Sequence, residues 1–200
     1  MLDRIPSMLD IGIYKERHLL FISNNGKDYN NCGLMENTPC QSVDYAVRNV
    51  TRKYNTMILD GGQDKQMTYR LTWELHLIRN LTIQMLRGSQ YKPIIMPRNE
   101  TEFVFLVSAR KISIHFHSMY FIDINVIYCF DLCDIRLINC KVKGKNWVLT
   151  FYSRTTSFPV QHNELYSTLL VEDCIFHGGN ISTNNAKMKI FITVLYPIAI

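Results

Sequence analysis

Asp134-Ile135-Arg136-Leu137-Ile138-Asn139-Cys140-Lys141-Val142-Lys143-Gly144 and Thr168-Leu169-Leu170-Val171-Glu172-Asp173-Cys174-Ile175-Phe176-His177-Gly178 are two copies of one pattern. Side chains on a strand alternate between its two faces. Ile135 and Leu137 therefore point one way, Ile138-Asn139 makes a bend, and Cys140 and Val142 point inward again. The second copy repeats this with Leu169 and Val171, Glu172-Asp173, then Cys174 and Phe176. Asn and Asp suit the bend because they tolerate left-handed backbone and hydrogen-bond to it locally. Gly144 and Gly178-Gly179 then release the chain into loops.

Leu81-Thr82-Ile83 and Ile112-Ser113-Ile114 are shorter relatives of the same strand. Superposing the four at their second apolar residue, Ile83, Ile114, Leu137 and Val171, gives spacings of 31, 23 and 34 residues. In the Ile112 unit this alignment puts a bend at His115-Phe116 and sends His117 and Met119 inward. Arrays of ankyrin or tetratricopeptide type keep a nearly constant period, which these spacings exclude. A parallel β-helix accommodates them, because loops of any length enter between its short strands. The rival is an antiparallel sandwich, which needs tight turns between neighbouring strands. Asn25-Gly26 and Asp60-Gly61 are such turns, but neither lies between the matched strands. The many isoleucines, tyrosines, phenylalanines and threonines also favour strands.

Ahead of the repeats, the segment from Thr38 to Val50 reads as a helix. Thr38 stands at the N-cap, Pro39 at the first helical position and Gln41 where a capping box needs it. Val43, Ala46, Val47 and Val50 recur on one face. An amphipathic helix there covers the open end of a stack of coils. Residues 1–18 form a poorly defined N-terminal segment. Residues 19–55 hold an N-terminal strand, a cysteine loop and the cap helix, and 56–200 hold the coils. Thr56-Met57-Ile58-Leu59 is the expected first coil strand, followed by a turn at Asp60-Gly61-Gly62.

The order Ser23, Gly26, Asp28, Gly33, Pro39, Ser42, Ala46, then an Asp-Gly turn and Asn80-Leu81-Thr82-Ile83, resembles the start of right-handed parallel β-helix proteins of the pectate-lyase-like superfamily. The flanking Cys32 and Cys40 are similar to its large extracellular members. The resemblance covers about residues 20–180 and consists of cap and coil signals. It implies a fold. Its members include lyases, glycoside hydrolases and non-enzymatic surface proteins, so activity stays open.

Cys32 and Cys40 flank a polar loop and can close it as a disulfide. Cys140 and Cys174 share an inward position and read as stacked thiols, while Cys129 and Cys133 stay ambiguous. Zinc spacing of the Cys-x2-Cys kind is absent. Asn49, Asn80, Asn99 and Asn180 each begin an Asn-x-Ser/Thr sequon and are candidate glycosylation sites. Met1 to Glu16 has charges and a proline but no apolar core, so it is no signal peptide. A piece of a longer extracellular or cell-surface protein is expected, against a cytosolic chain with idle sequons. The apolar run Lys189 to Ile200 is too short to span a bilayer and reads as a last strand, against the start of a truncated anchor.

The formal net charge of +5 comes from 22 basic and 17 acidic residues scattered along the chain, which gives nucleic acid no basic patch. Enzymes of the resembled superfamily group carboxylates on one outer face. Asp123, Asp131, Asp134 and Asp173 are the candidates here, with Arg136 as basic partner. Asp173 is better explained by its bend, and the hydrolases' paired-aspartate and Gly-His-Gly signatures are missing. His115-Phe116-His117 invites a metal reading that the proposed bend would break. Trp73, Trp147 and tyrosines 69, 91, 120, 128 and 152 offer rings to sugars or to the core. No catalytic residue, cofactor or metal ligand is assigned. The expected function is a non-catalytic module binding glycans or other extracellular proteins. A fragment of a polysaccharide lyase or glycoside hydrolase is the alternative.

Overall fold

The computed structural model describes residues 19–50, 55–71, 75–98, 103–107, 112–122, 125–130, 133–143, 147–152, 167–177, 180–184 and 188–193. Its strands are dealt in rotation to three sheets, and every strand pairing is parallel. The first sheet holds β1 (Leu19–Ile22), β2 (Thr56–Leu59), β5 (Leu81–Met85), β8 (Ile112–His117), β11 (Cys133–Ile138), β14 (Ser167–Glu172) and β17 (Met188–Thr193). The second holds β3 (Thr68–Leu71), β6 (Ile94–Pro97), β9 (Tyr120–Ile122), β12 (Lys141–Lys143) and β15 (Ile175–His177). The third holds β4 (Leu75–Leu77), β7 (Phe103–Val107), β10 (Asn125–Phe130), β13 (Trp147–Tyr152) and β16 (Asn180–Asn184). From β2 onward the chain visits first, second and third sheet in turn, so neighbours within a sheet lie three places apart in chain order.

The core follows from period-two alternation applied to this stacking. In the first sheet Leu20, Met57, Ile83, Phe116, Leu137 and Val171 occupy one register row, and all are buried. Leu81, Ile114, Ile135 and Leu169 form the adjoining row. The second sheet contributes Tyr69, Ile95, Phe121 and Val142. Phe116 and Phe121 meet edge to face across the corner, ring centroids 5.2 Å apart.

Register corrects the alignment read from sequence. Ile83 stacks on Phe116 and Phe116 on Leu137, so the spacings are 33, 21 and 34 residues, and Ile114 belongs to the neighbouring row. No bend occurs at His115-Phe116. β8 runs on to His117 with an unbroken alternation, Phe116 faces the core, and His117 faces out. The bend comes at Ser118. Ser118, Asn139 and Asp173 have φ of 57°, 53° and 52°, so all three bends are left-handed. Met119, Cys140 and Cys174 follow them into the interior. Gly144, Gly178 and Gly179 lie outside the described residues.

The N-terminal region is also rearranged. β1 lies in the 19–55 segment where an N-terminal strand is expected, and β2, over Thr56–Leu59, follows it in the same sheet and begins the three-sheet rotation. The helix begins at Val43 rather than after Thr38, with Ser42 as N-cap accepting from Tyr45 N at 3.2 Å. It continues as a π-helical turn over Ala46–Val50. The capping-box reading fails because Cys40 is held elsewhere. Its N–H donates to Phe21 O at 3.0 Å and its carbonyl accepts from Ser23 N at 2.9 Å, a parallel bridge that keeps residue 40 out of the helix. Asp28 takes over the first-turn role, accepting from Gln41 N, Ser42 N and Ser42 Oγ at 2.8, 3.0 and 2.7 Å. The apolar face is as its spacing requires: Val43 and Ala46 are buried, and Val47 and Val50 pack against the core.

One corner needs glycine on both counts. A Cβ on Gly61 would lie 1.7 Å from Tyr91 O, and Gly62 has φ of 90°. The Asp60 carboxylate ties this turn together, accepting from Gly62 N at 2.8 Å and Ser23 Oγ at 3.0 Å. Among the described residues no helix is long and apolar enough to cross a membrane.

Candidate functional site

The outward side chains of β5 and β8 are polar, whereas β2, β11 and β14 place Ile58, Ile138 and Leu170 in the same outward rows. Parallel register places Thr82, His115 and Arg136 side by side, with Gln84 and His117 in the next row and Ser113, Asp134 and Thr168 in the row before. A groove of about 560 Å³ opens over this face. Its lining includes Asn55, Thr56, Asn80, Thr82, Gln84 and Ser113, together with both histidines. Apart from the imidazoles, these are uncharged groups that donate and accept hydrogen bonds.

Asp134 lies beside the groove, next to its lining residue Ser113. Its carboxylate accepts from Thr168 Oγ1 and, at 3.4 Å, from Ser113 Oγ, and Arg136 Nε lies 3.4 Å away. His115 Nε2 lies 3.8 Å from Asp134 Oδ2, beyond hydrogen-bond reach, and that buried nitrogen has no hydrogen-bond partner among the described residues. Burial, then the Arg136 charge, lowers the His115 pKa below the usual imidazole value, with Asp134 opposing. His117 is lowered by burial first, then by His115 and Arg136. Both shifts favour the neutral ring.

Asp173 sits exposed at its bend, with the left-handed backbone found at Asn139. Asp123 and Asp131 lie outside the described residues. Asp134 pairs in register with Thr168, and Glu172 is four residues further along β14. At about 3.3 Å per residue the two carboxylates stand roughly 13 Å apart along the sheet, wider than the pairs glycosidases use.

Cys32 and Cys40 form a disulfide with Cα atoms 4.9 Å apart, and a second bridge joins Cys129 to Cys133, the pair whose sequence reading was ambiguous. Cys140 and Cys174 are free, buried and stacked, Cys140 N donating to Cys174 Sγ at 3.3 Å. Burial raises the Cys140 thiol pKa well above its usual value. Asp28, Cys32 and Cys40 also approach one another, but the disulfide consumes both thiolates a metal would need.

Asn49 and Asn80 are exposed, Asn99 lies outside the described residues, and Asn180 begins β16. Asn80 Oδ1 accepts from Ser113 N at 2.9 Å. Of the aromatic candidates, Tyr69 is buried, donating its hydroxyl to Asp60 O at 2.8 Å and Ile22 O at 3.2 Å. Tyr91 is exposed, and Tyr120 lies under the Lys141 ammonium at 4.9 Å. Trp73 lies outside the described residues.

The groove itself escaped sequence reading. Its signal was there in Thr82-x-Gln84 and His115-x-His117, two polar alternations that stack once the register is right. No family model, no curated protein and no solved structure matches the chain.

Proposed function

We propose that this chain is a right-handed parallel β-helix of the pectate-lyase-like kind, serving as a non-catalytic glycan-binding module of an extracellular or cell-surface protein. The cyclic visiting of three parallel sheets supports the helix, and parallel crossovers are right-handed in nearly all proteins. The two disulfides and the exposed sequons at Asn49 and Asn80 support an oxidising, secretory setting.

The observation that carries the binding reading is the groove's lining. Hydroxyl, amide and neutral imidazole groups in register rows match the donors and acceptors of a neutral oligosaccharide. Support for a non-catalytic role comes from Asp134, whose oxygens already serve Thr168, Ser113 and Arg136, and from its distance to Glu172. The test is saturation-transfer NMR against a panel of neutral oligosaccharides. At least one should bind, and Thr82→Val with Gln84→Ala should abolish its signal while the fold, followed by circular dichroism, persists. Binding to none of the panel, or binding that the double variant leaves intact, would sink the reading.

A further inference from the structure

We propose that Cys174 and Cys140 form a peroxide-responsive pair, in which Cys174 is the thiol oxidised and Cys140 the thiol that resolves it into a third disulfide. The proposal does not rest on the glycan reading. It starts from the corner where two successive coils stack, just after their left-handed bends at Asn139 and Asp173. Ile138 pairs with Glu172 before the bends and Lys141 with Ile175 after them, so the two cysteines lie one above the other.

Adjacent strands of a sheet run about 4.8 Å apart, inside the Cα separation that disulfides span. Cys140 O accepts from Ile175 N at 3.0 Å, which holds the two chains together at this point. Cys140 N donates to Cys174 Sγ at 3.3 Å, so the second sulfur already lies against the first residue's backbone. The Cys140 thiol donates to Phe116 O at 3.5 Å and Ile138 O at 3.4 Å. A change of χ1 rotamer turns it from those carbonyls toward the Cys174 sulfur.

The pair is asymmetric in the way such chemistry needs. Cys140 is fully buried, whereas Cys174 keeps 5% of its surface exposed. β15, which starts at the next residue, is the last strand of the second sheet among the described residues, and its Ile175 and Phe176 are exposed. Hydrogen bonding from the Cys140 side chain, opposed by burial and aided by Cys140 N–H, lowers the Cys174 pKa. Burial raises that of Cys140. The thiolate is the reactive form, so a small oxidant such as hydrogen peroxide meets Cys174 first. The Cys174 sulfur attacks one peroxide oxygen, the O–O bond breaks, and a sulfenic acid and one water result. The Cys140 sulfur then attacks the Cys174 sulfur, the S–O bond breaks, and a second water leaves with the Cys140 proton. Two thiols and one peroxide thus give one disulfide and two waters. The new bond ties the coil of β11 and β12 to the coil of β14 and β15.

The test treats the full 200-residue chain, its other two disulfides formed, with graded hydrogen peroxide. Surviving thiols are alkylated after unfolding without reductant, and the peptides are mapped by mass spectrometry. Oxidation of the exposed Met35 reports the dose. A cross-linked Cys140–Cys174 peptide should appear as both alkylation products disappear. Cys140→Ser should stop at the sulfenic acid, which dimedone traps on Cys174. In Cys174→Ser the oxidation rate of Cys140 should fall about tenfold or more. The cross-link should also raise the thermal unfolding midpoint, a rise that peroxide does not produce in Cys140→Ser. The map of the unsubstituted chain decides the matter even where serine unfolds the core. Both thiols still alkylatable once Met35 is oxidised, or cross-links to Cys129 or Cys133 instead, would overturn the proposal. So would an undiminished Cys140 rate in folded Cys174→Ser, no trapped sulfenic acid in folded Cys140→Ser, or a cross-linked chain whose midpoint does not rise.

Discussion

Asn139 Nδ2 donates to Ser118 Oγ at 2.9 Å, joining the bend of one coil to the bend of the coil before it. Both residues are left-handed, and Lys92 Nζ reaches the Asn139 carbonyl and Oδ1 at 2.6 and 2.7 Å. The bend is thus held by local conformation and by a ladder between coils.

These two contributions separate by substitution. Asn139→Gly keeps the backbone and loses only the side-chain bonds, so it should cost under about 1 kcal/mol. Asn139→Val adds a β-branched side chain at positive φ and should cost about 2 kcal/mol or more. Urea denaturation of the two variants measures the difference. Equal losses would mean that the ladder, and not the left-handed backbone, sets the residue.

Tyr69 gives a pH signature. Burial first, then the Asp60 charge, raises its phenol well above the usual tyrosine value. The folded state therefore keeps a proton that the unfolded state releases near pH 10. Its contribution is complete below pH 10 and declines as pH rises toward the folded value. Tyr69→Phe should flatten this alkaline decline in the unfolding free energy. At pH 7 it should cost about 1–2 kcal/mol, because the Asp60 carbonyl loses its donor.

Removing the Cys32–Cys40 bond by the double Ala variant should lower stability by about 2–3 kcal/mol, the chain-entropy value for a loop this short. Chemical denaturation without reductant gives the number. A loss below about 0.5 kcal/mol would show that the Asp28 contacts hold the loop unaided.

Asn80 joins two expectations. When the chain is made through a secretory pathway, mass spectrometry should find glycan at Asn49 and Asn80, both exposed. A glycan at Asn80 emerges at the rim of the groove. Trimming that glycan with an endoglycosidase should then strengthen oligosaccharide binding. An unchanged affinity with Asn80 fully occupied would place the ligand away from that rim.

Much of the fold was legible because its signals are local and demanding. Asn139 and Asp173 announce the bend, since few residues adopt left-handed backbone, and the alternation around them gives the inward rows except at Phe176, which is exposed. Ser118 hid the same bend, being less typical there. Period two also conceals a slip of two residues, because such a slip keeps every side chain on its proper face. With Ile112, Ile114 and Phe116 all apolar, pattern alone could not choose the register, and the slip moved the bend from Ser118 to His115-Phe116, which is what sent His117 inward. The helix start failed for the opposite reason. Thr38-Pro39 is a sound local signal overridden by a bridge to Ile22 eighteen residues earlier. The groove combines side chains from β2, β5 and β8, and only register brings them together.

The loop closed by Cys32 and Cys40 has one more consequence. Phe21 N donates to Gly33 O at 2.8 Å, and the Phe21 carbonyl and Ser23 N are taken by Cys40. The outer rim of β1 is thus occupied by the chain's own loop. Parallel, in-register strands are the geometry of fibrils, which grow by adding strands to bare rims. The disulfide loop therefore takes up the edge of the first sheet that a second molecule's strand would need. Opening it would leave the Phe21 and Ser23 backbone groups free to pair with an added strand.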